Sequence, residues 1–410
     1  MDIIYLSSSC SESKFNELLQ KKITQKLPQA QKYHRLMMEG IAKCIDGDFF
    51  AISAFPTNRT WSKKVFFEKE IEFKDNIKYI YGRFINLPLF RQMSRIFETK
   101  RILCNVCKNK QDTVIICDVL NQSLAKAARI YGKRFHIPVI GIVTDVPGYT
   151  SRARRKTLSF PRKLAYNIAE KYASKSLGNY DAYLLLTEAM NDVVNTNEKP
   201  YIVIEGQADY IMSTIDNDMQ NKDTPKVVMY AGGIHREFGI ERMVNAFLRF
   251  NPKDWHLCIY GDGNYQHDLR EIASKTNCIE YYGTQPNDVV VKRQLTASLL
   301  INPRLTDAEY VKYSFPSKTM ECMVSGTPLL TTRLPGMPAE YYDYVYFIDD
   351  ESEDGMVEAF NKILDKSSEE LHSFGTSAKQ FIISEKTNIK QAKKFVDFIV
   401  DVRNEYYESY

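Results

Sequence analysis

Two tryptophans, eight cysteines and a formal net charge of only +4 are what this 410-residue chain has little of. So small a charge over this length excludes a general nucleic-acid binder; any basic patch must be local. Among the cysteines only Cys104 and Cys107 form a CxxC pair, and no second pair stands at zinc-site spacing, which excludes a zinc ribbon or finger. Scattered cysteines of this kind read as reduced thiols of a cytoplasmic protein. No run of 18 apolar residues occurs, so no helix is expected to span a membrane. The amino terminus opens on a charged Asp2 and then Ile3-Ile4-Tyr5-Leu6, a strand-like start rather than a secretory leader. Internal repeats and low-complexity tracts are also lacking, which excludes solenoids and arrays.

What is present is ordinary for a globular protein: 44% hydrophobic and 26% charged residues. The length suits two domains of roughly 200 residues each. Tyrosine (26) and phenylalanine (22) are plentiful, mostly as core. Short apolar runs at 2–6, 49–54, 77–80, 113–117, 138–144, 181–187 and 201–205 alternate with helical stripes at 29–43, 87–108 and 122–135. Such alternation predicts a doubly wound parallel sheet. Residues 206–226 lose the apolar period and gather Asp, Asn and Pro, which predicts a linker. Strand-like runs resume at 227–230, 255–260, 278–282, 298–302, 327–331 and 345–348. The predicted organisation is a domain over 1–205, a linker over 206–226, a second domain over 227–387, and a terminal helix over 388–410.

Residues 299–332 organise the second domain. An apolar strand leads into a polar loop, then a helix beginning near Pro316, whose missing N–H costs nothing at a helix start. Gly326 ends that helix before the next strand. A helix start at the carboxyl end of a strand is an anion site, because unpaired N–H groups and the helix dipole point outward together. Ser317 and Lys318 add a hydroxyl and a cation in the first turn. Glu321, about one turn further in, suits a sugar diol. Phosphates beside a ribose fit this arrangement. A second loop, Gly232-Gly233-Ile234-His235-Arg236, follows the strand at 227–230. Paired glycines there let backbone approach a diphosphate closely.

Phe315, Glu321, Gly326-Thr327-Pro328 and the following strand resemble the donor-site signature of family 4 glycosyltransferases. The resemblance is strongest over 227–350 and softer over 29–205. It implies a GT-B fold, two doubly wound Rossmann-like domains facing across a cleft. It implies retaining, metal-independent transfer of a sugar from a nucleotide-sugar, a UDP-sugar being expected, with no cofactor and no metal. Glu321 matches the glutamate that holds the ribose. The partner glutamate, eight positions earlier, falls on Tyr313 here; Glu309, in the same loop, is the substitute carboxylate, and either Glu309 or Tyr313 touches the donor sugar. Arg236 matches the arginine of the phosphate loop, and Phe238 stands where the family has a lysine, a charge that Lys318 restores. Asp262-Gly263 resembles a loop near the nucleotide, and Arg304, Ser314 and Phe315 complete the expected donor set. The acceptor-side candidate is Asp145, just past a strand end. Thr144, immediately before it, stands where relatives carry a histidine.

Residues 151–175 are the basic outlier. Arg152, Arg154, Arg155, Lys156, Arg162 and Lys163 interleave with apolar residues. Such a segment suits an anionic membrane surface or the pyrophosphate of a lipid-linked glycan acceptor. The reading is a cytoplasmic glycosyltransferase, peripheral on the inner face of the plasma membrane, acting in surface-polysaccharide synthesis. The alternative is a non-catalytic GT-B subunit that stabilises or positions a partner transferase, which Tyr313, Phe238 and Thr144 would suit.

Overall fold

The computed structural model describes residues 1–24, 29–88, 90–107, 112–146, 167, 171 and 174–408. The chain divides into two compact units: Met1–Gln207 with Asn388–Tyr410, and Ala208–Thr387. The six basic residues Arg152, Arg154, Arg155, Lys156, Arg162 and Lys163 lie outside the described residues.

The first unit is built on an eight-stranded sheet. Its strands are β1 (Asp2–Ser7), β2 (Phe49–Ser53), β4 (Glu70–Lys74), β5 (Ile77–Tyr81), β7 (Thr113–Asp118), β8 (Val139–Val143), β9 (Ala182–Leu185) and β10 (Tyr201–Val203). Their order is β10-β9-β8-β7-β1-β2-β5-β4. All pairings are parallel except β4 with β5. β3 (Phe66–Phe67) and β6 (Phe84–Ile85) form a separate antiparallel ribbon. The central strands are buried along their length, because helices cover both faces and a parallel strand then reads as a continuous apolar run. Four pieces escaped the sequence reading: β3, β4, β6 and the helix Glu12–Gln20. β4 alternates Glu and apolar residues on a sheet edge, and the Ser11 cap of Glu12–Gln20 lies in a serine-rich stretch read as loop.

The last helix, Asn388–Glu408, packs within the first unit against Gln29–Ala42. Asn388 Nδ2 donates to Leu36 O (3.2 Å) and Gln391 Nε2 to Gly206 O (2.9 Å). A side chain at Gly40 would sit 2.3 Å from Asn388 O, so glycine there sets how closely the two helices approach.

The second unit holds a six-stranded parallel sheet: β11 (Lys226–Ala231), β12 (Trp255–Tyr260), β13 (Ile279–Tyr281), β14 (Leu299–Asn302), β15 (Leu329–Thr332) and β16 (Tyr346–Ile348). The order β13-β12-β11-β14-β15-β16 reverses direction between β11 and β14, which is where ligands bind in open α/β sheets. Most of residues 206–226 is part of this unit rather than a free-standing linker. Asn217 Nδ2 donates to Ser325 O (2.8 Å) and Thr327 Oγ1 (2.9 Å), and Lys222 Nζ donates to Leu295 O and Ala297 O (2.9 Å each). Polar residues without apolar period do this because their hydrogen bonds go to helix ends.

Candidate functional site

Two loops flank the switch point of the second sheet. The first follows β11. Gly232 N donates to Tyr260 O (2.9 Å) and Ile234 N to Asp262 O (2.7 Å), so the loops after β11 and β12 are laced together by backbone. A Cβ on Gly261 would lie 1.7 Å from Gly232 O, at φ 131°. One on Gly263 would lie 2.1 Å from Ile234 O. The Asp262-Gly263 turn therefore shapes the β11 loop, with the Asp262 side chain exposed. Tyr230 is buried; its hydroxyl donates to Gly233 O (2.8 Å) and fixes the paired glycines from beneath.

The second loop runs from β14 to the helix Ser317–Ser325. Lys318, in that helix's first turn, reaches across to the first loop. Its Nζ lies 5.3 Å from the Tyr230 ring centre, and a Cβ on Gly232 would stand 1.7 Å from it. The paired glycines and Lys318 thus form one site. Lys318 is half-buried and makes no salt bridge among the described residues. Desolvation lowers its pKa, with Cys322 and Glu321 opposing that and Arg304 adding to it. Glu321 is half-buried one turn along.

Arg304 is the second cation here. Its guanidinium lies 5.4 Å from the Phe238 ring centre and 5.4 Å from that of Tyr310. Its Nε is buried without a hydrogen-bond partner, as are Asn302 Nδ2 and Thr319 Oγ1 from the elements around it. Phe238, standing where a lysine was expected, is a platform for this arginine.

Arg236 needs correction. It is exposed at the start of a short 3-10 turn, where its guanidinium pairs with Glu241 and Asp268 and lies 4.6 Å from the Tyr265 ring centre. Two carboxylates already neutralise it, whereas Lys318 and Arg304 have none in salt-bridge range among the described residues. Phe315 is likewise a core residue: it is 6% exposed and packs on Tyr341 at 5.4 Å between ring centres. Tyr313 is buried, Ser314 and Ser317 are half-buried, and Glu309 is exposed at the head of the 3-10 turn Glu309–Tyr313.

Sequence reasoning missed the aromatic parts of the site. Tyr260 and Tyr282 stack at 4.8 Å and 5° where β12 and β13 end. Tyr281 Oη donates to Gly261 O (2.8 Å). Aromatic residues at consecutive strand ends were the available signal. The wide groove of about 1010 Å³ lies elsewhere, at Lys226, Trp255, Ser298 and Pro328, the opposite ends of these strands.

In the first unit, Asp145 is half-buried two residues beyond β8, and Thr144 Oγ1 is buried without a partner. Asp118 ends β7 beside the switch between β1 and β7. Its Oδ2 stands 3.7 Å from His34 Nε2, and His34 Nδ1 is 2.7 Å from Tyr5 Oη. His34 is fully buried, and burial lowers its pKa while raising that of Asp118.

Residues 212–381 match the family model described as "Glycosyl transferases group 1". No curated protein sequence matches the chain. Among solved structures, sucrose-phosphate synthase from Thermosynechococcus elongatus is similar with a TM-score of 0.64 at 11% identity, covering 98% of this chain and 99% of its own. Anabaena HepE in complex with UDP-glucose aligns with a TM-score of 0.60 at 11% identity, over 98% and 100%. The α,α-trehalose 6-phosphate synthase of Burkholderia multivorans aligns with a TM-score of 0.64 at 12% identity, over 100% and 97%. At such identities the likeness is one of fold. The family match falls within the second unit, and the shared folds show an architecture of two Rossmann-like α/β units, the GT-B fold.

Proposed function

We propose that the second unit binds a UDP-sugar and that the chain transfers its sugar, with retention and without a metal, to a glycan or lipid-linked acceptor on the first unit. One observation carries the donor half: Lys318, a desolvated ammonium with no salt bridge among the described residues, lies against the paired glycines at the sheet's switch point. A desolvated cation that makes no salt bridge among the described residues favours an anionic ligand, since the ligand restores the interaction that burial removed. With Arg304, it would stabilise negative charge developing on the departing diphosphate. Glu321 would hold the ribose and the stacked Tyr260–Tyr282 pair would flank the base. Glu309 or Tyr313 would meet the sugar, and Asp145 would serve the acceptor side. HepE was solved with UDP-glucose, which supports the choice of base and sugar class. The basic residues Arg152, Arg154, Arg155, Lys156, Arg162 and Lys163 would engage an acceptor phosphate or an anionic membrane, placing the protein at the inner face of the plasma membrane.

The direct test is the melting temperature with UDP, GDP and ADP. A stabilisation of about 2.7 kcal/mol is expected at a hundredfold excess over Kd for the true base; three nucleotides without effect would sink the reading. Glu321→Ala should weaken UDP binding about tenfold, one charged hydrogen bond's worth, yet leave inorganic pyrophosphate binding unchanged. Calorimetric titration with both ligands separates the ribose contact from the phosphate contacts.

A pH dependence follows from Lys318. Its pKa in the free protein is depressed, so it loses its proton at lower pH than an unfolded lysine, at about 10.4. Nucleotide affinity should therefore fall as pH rises through that depressed value. In the window between it and about 10.4, the ligand-free wild type should gain stability with pH relative to Lys318→Met, because the unfolded chain then binds more protons. Titrations in Lys318→Arg should stay flat over the same range.

A further inference from the structure

Among the described residues, seven large apolar side chains have more than half their surface exposed: Phe66 (66%), Ile71 (52%), Phe73 (74%), Phe90 (58%), Met93 (58%), Phe97 (67%) and Ile211 (53%). All but Ile211 fall between positions 66 and 97 of the first unit. Isolated exposed apolar residues are ordinary; a concentration like this marks an interaction surface.

The fold brings these residues around one helix. On Phe90–Val106, residues Phe90, Met93 and Phe97 stand at i, i+3 and i+7, a single stripe. Glu98, Thr99, Ile102 and Leu103 form the buried side of that helix. The β3–β6 ribbon is tied to it, since Ile85 N donates to Ser94 Oγ (3.1 Å). Phe67 stacks on Phe84 at 4.6 Å, so Phe66, the next residue along the strand, projects from the other face. Lys69, one residue before edge strand β4, shares a shallow cavity with Glu98, Arg101 and Asn105 of that helix. Ile71 and Phe73 project from one face of β4. An uncovered edge strand carrying Ile and Phe is a liability unless something covers it.

Charge selects the occupant. Residues 63–101 carry ten Lys and Arg against five Asp and Glu, a net +5 where the whole chain has +4, so the remainder sums to −1. Two of these cations sit among the apolar groups: Lys78 Nζ lies 5.1 Å from the Phe73 ring centre, and Arg101 is exposed one turn beyond Phe97; Arg95 instead turns inward to Phe55 O (2.9 Å) and Arg83 pairs with Glu98. Phenylalanines that enter the boundary between headgroups and acyl chains, ringed by cations that meet lipid phosphates, fit a bilayer rather than a folded protein face. No helix among the described residues is long and apolar enough to cross a membrane. The contact is therefore one that lies on the surface.

We infer that residues 66–97 of the first unit form a membrane-docking face that takes an anionic lipid bilayer. The inference uses no residue of the donor site and stands whether or not a nucleotide binds. The test is co-sedimentation of the full chain with phosphatidylcholine vesicles, with and without phosphatidylglycerol. The bound fraction should rise at least about tenfold with the anionic lipid and fall as salt rises. Phe90→Ser/Met93→Ser/Phe97→Ser should lower binding to anionic vesicles at least about tenfold with an unchanged melting temperature, because these side chains are already exposed. Ile71→Ser/Phe73→Ser gives an independent second variant. Arg91→Gln/Lys100→Gln/Arg101→Gln should erase the preference for anionic lipid. A wild type that ignores the vesicles overturns the inference, as do apolar variants that bind like the wild type. So does a wild-type dimer that both apolar variants abolish, since the face would then join copies of the chain.

Discussion

Replacing Lys318 by methionine should weaken UDP binding by about 2 kcal/mol, about thirtyfold in Kd, while the ligand-free protein loses no stability. The two halves of this result come from one cause. Lys318 makes no salt bridge among the described residues, and burial disfavours its charge. Removing the ammonium therefore relieves a desolvation cost in the free protein. In the complex the same ammonium would face a diphosphate across the Gly232 backbone, where a charge-assisted contact is among the stronger single interactions. A lysine with a merely structural role behaves the opposite way: its loss lowers the melting temperature and leaves ligand affinity alone. Thermal melts with and without UDP read both quantities from one preparation. Equal melting-temperature shifts by UDP in wild type and variant would remove Lys318 from the donor site.

Gly261→Ala should be the most damaging single-methyl change in the second unit, costing about 2–4 kcal/mol. The added Cβ would meet Gly232 O at 1.7 Å, and a backbone oxygen cannot rotate away as a side-chain tip can. The residue also sits at φ 131°, a region that L side chains rarely adopt. The expected fall in melting temperature is about 2–4 °C per kcal/mol for a unit of this size. Displacing Gly232 also moves the loop that Lys318 crosses, so UDP binding should weaken in whatever fraction remains folded. Gly283→Ala is the control. It too has positive φ (63°), but a Cβ there meets nothing within 4 Å, so only the backbone cost of about 1 kcal/mol applies. If the two variants melt together, the close approach of the β11 and β12 loops is not what requires glycine at 261.

Much of the second unit was legible as sequence. All six of its strands read as apolar runs, because helices cover both faces of a parallel sheet and most strand positions are then apolar. The helix start at Pro316 and its end at Gly326 were equally plain, since capping depends on residues within one turn. Arg236 shows where this reasoning stopped. Its position in the loop pointed to a phosphate ligand, but Glu241 and Asp268 take its guanidinium, and Asp268 comes from a helix 32 positions away. Phe238 shows the converse. As a letter in a loop it looks like a missing cation, yet in space it is the ring that Arg304 packs upon. In the first unit, β4 and the β3–β6 ribbon were missed, because a mixed edge strand and two-residue strands leave no periodic trace.

The alternation of strands and helices, the two-domain class and the helix start at Pro316 were legible in the sequence alone, since each depends on local periodicity and on residues within one turn. Which cations are free to meet a ligand, which aromatics bracket them, and which apolar side chains stay in water were decided only by the tertiary structure. Those outcomes turn on pairings between residues far apart in the chain, where a counter-charge or a covering helix arrives from another element.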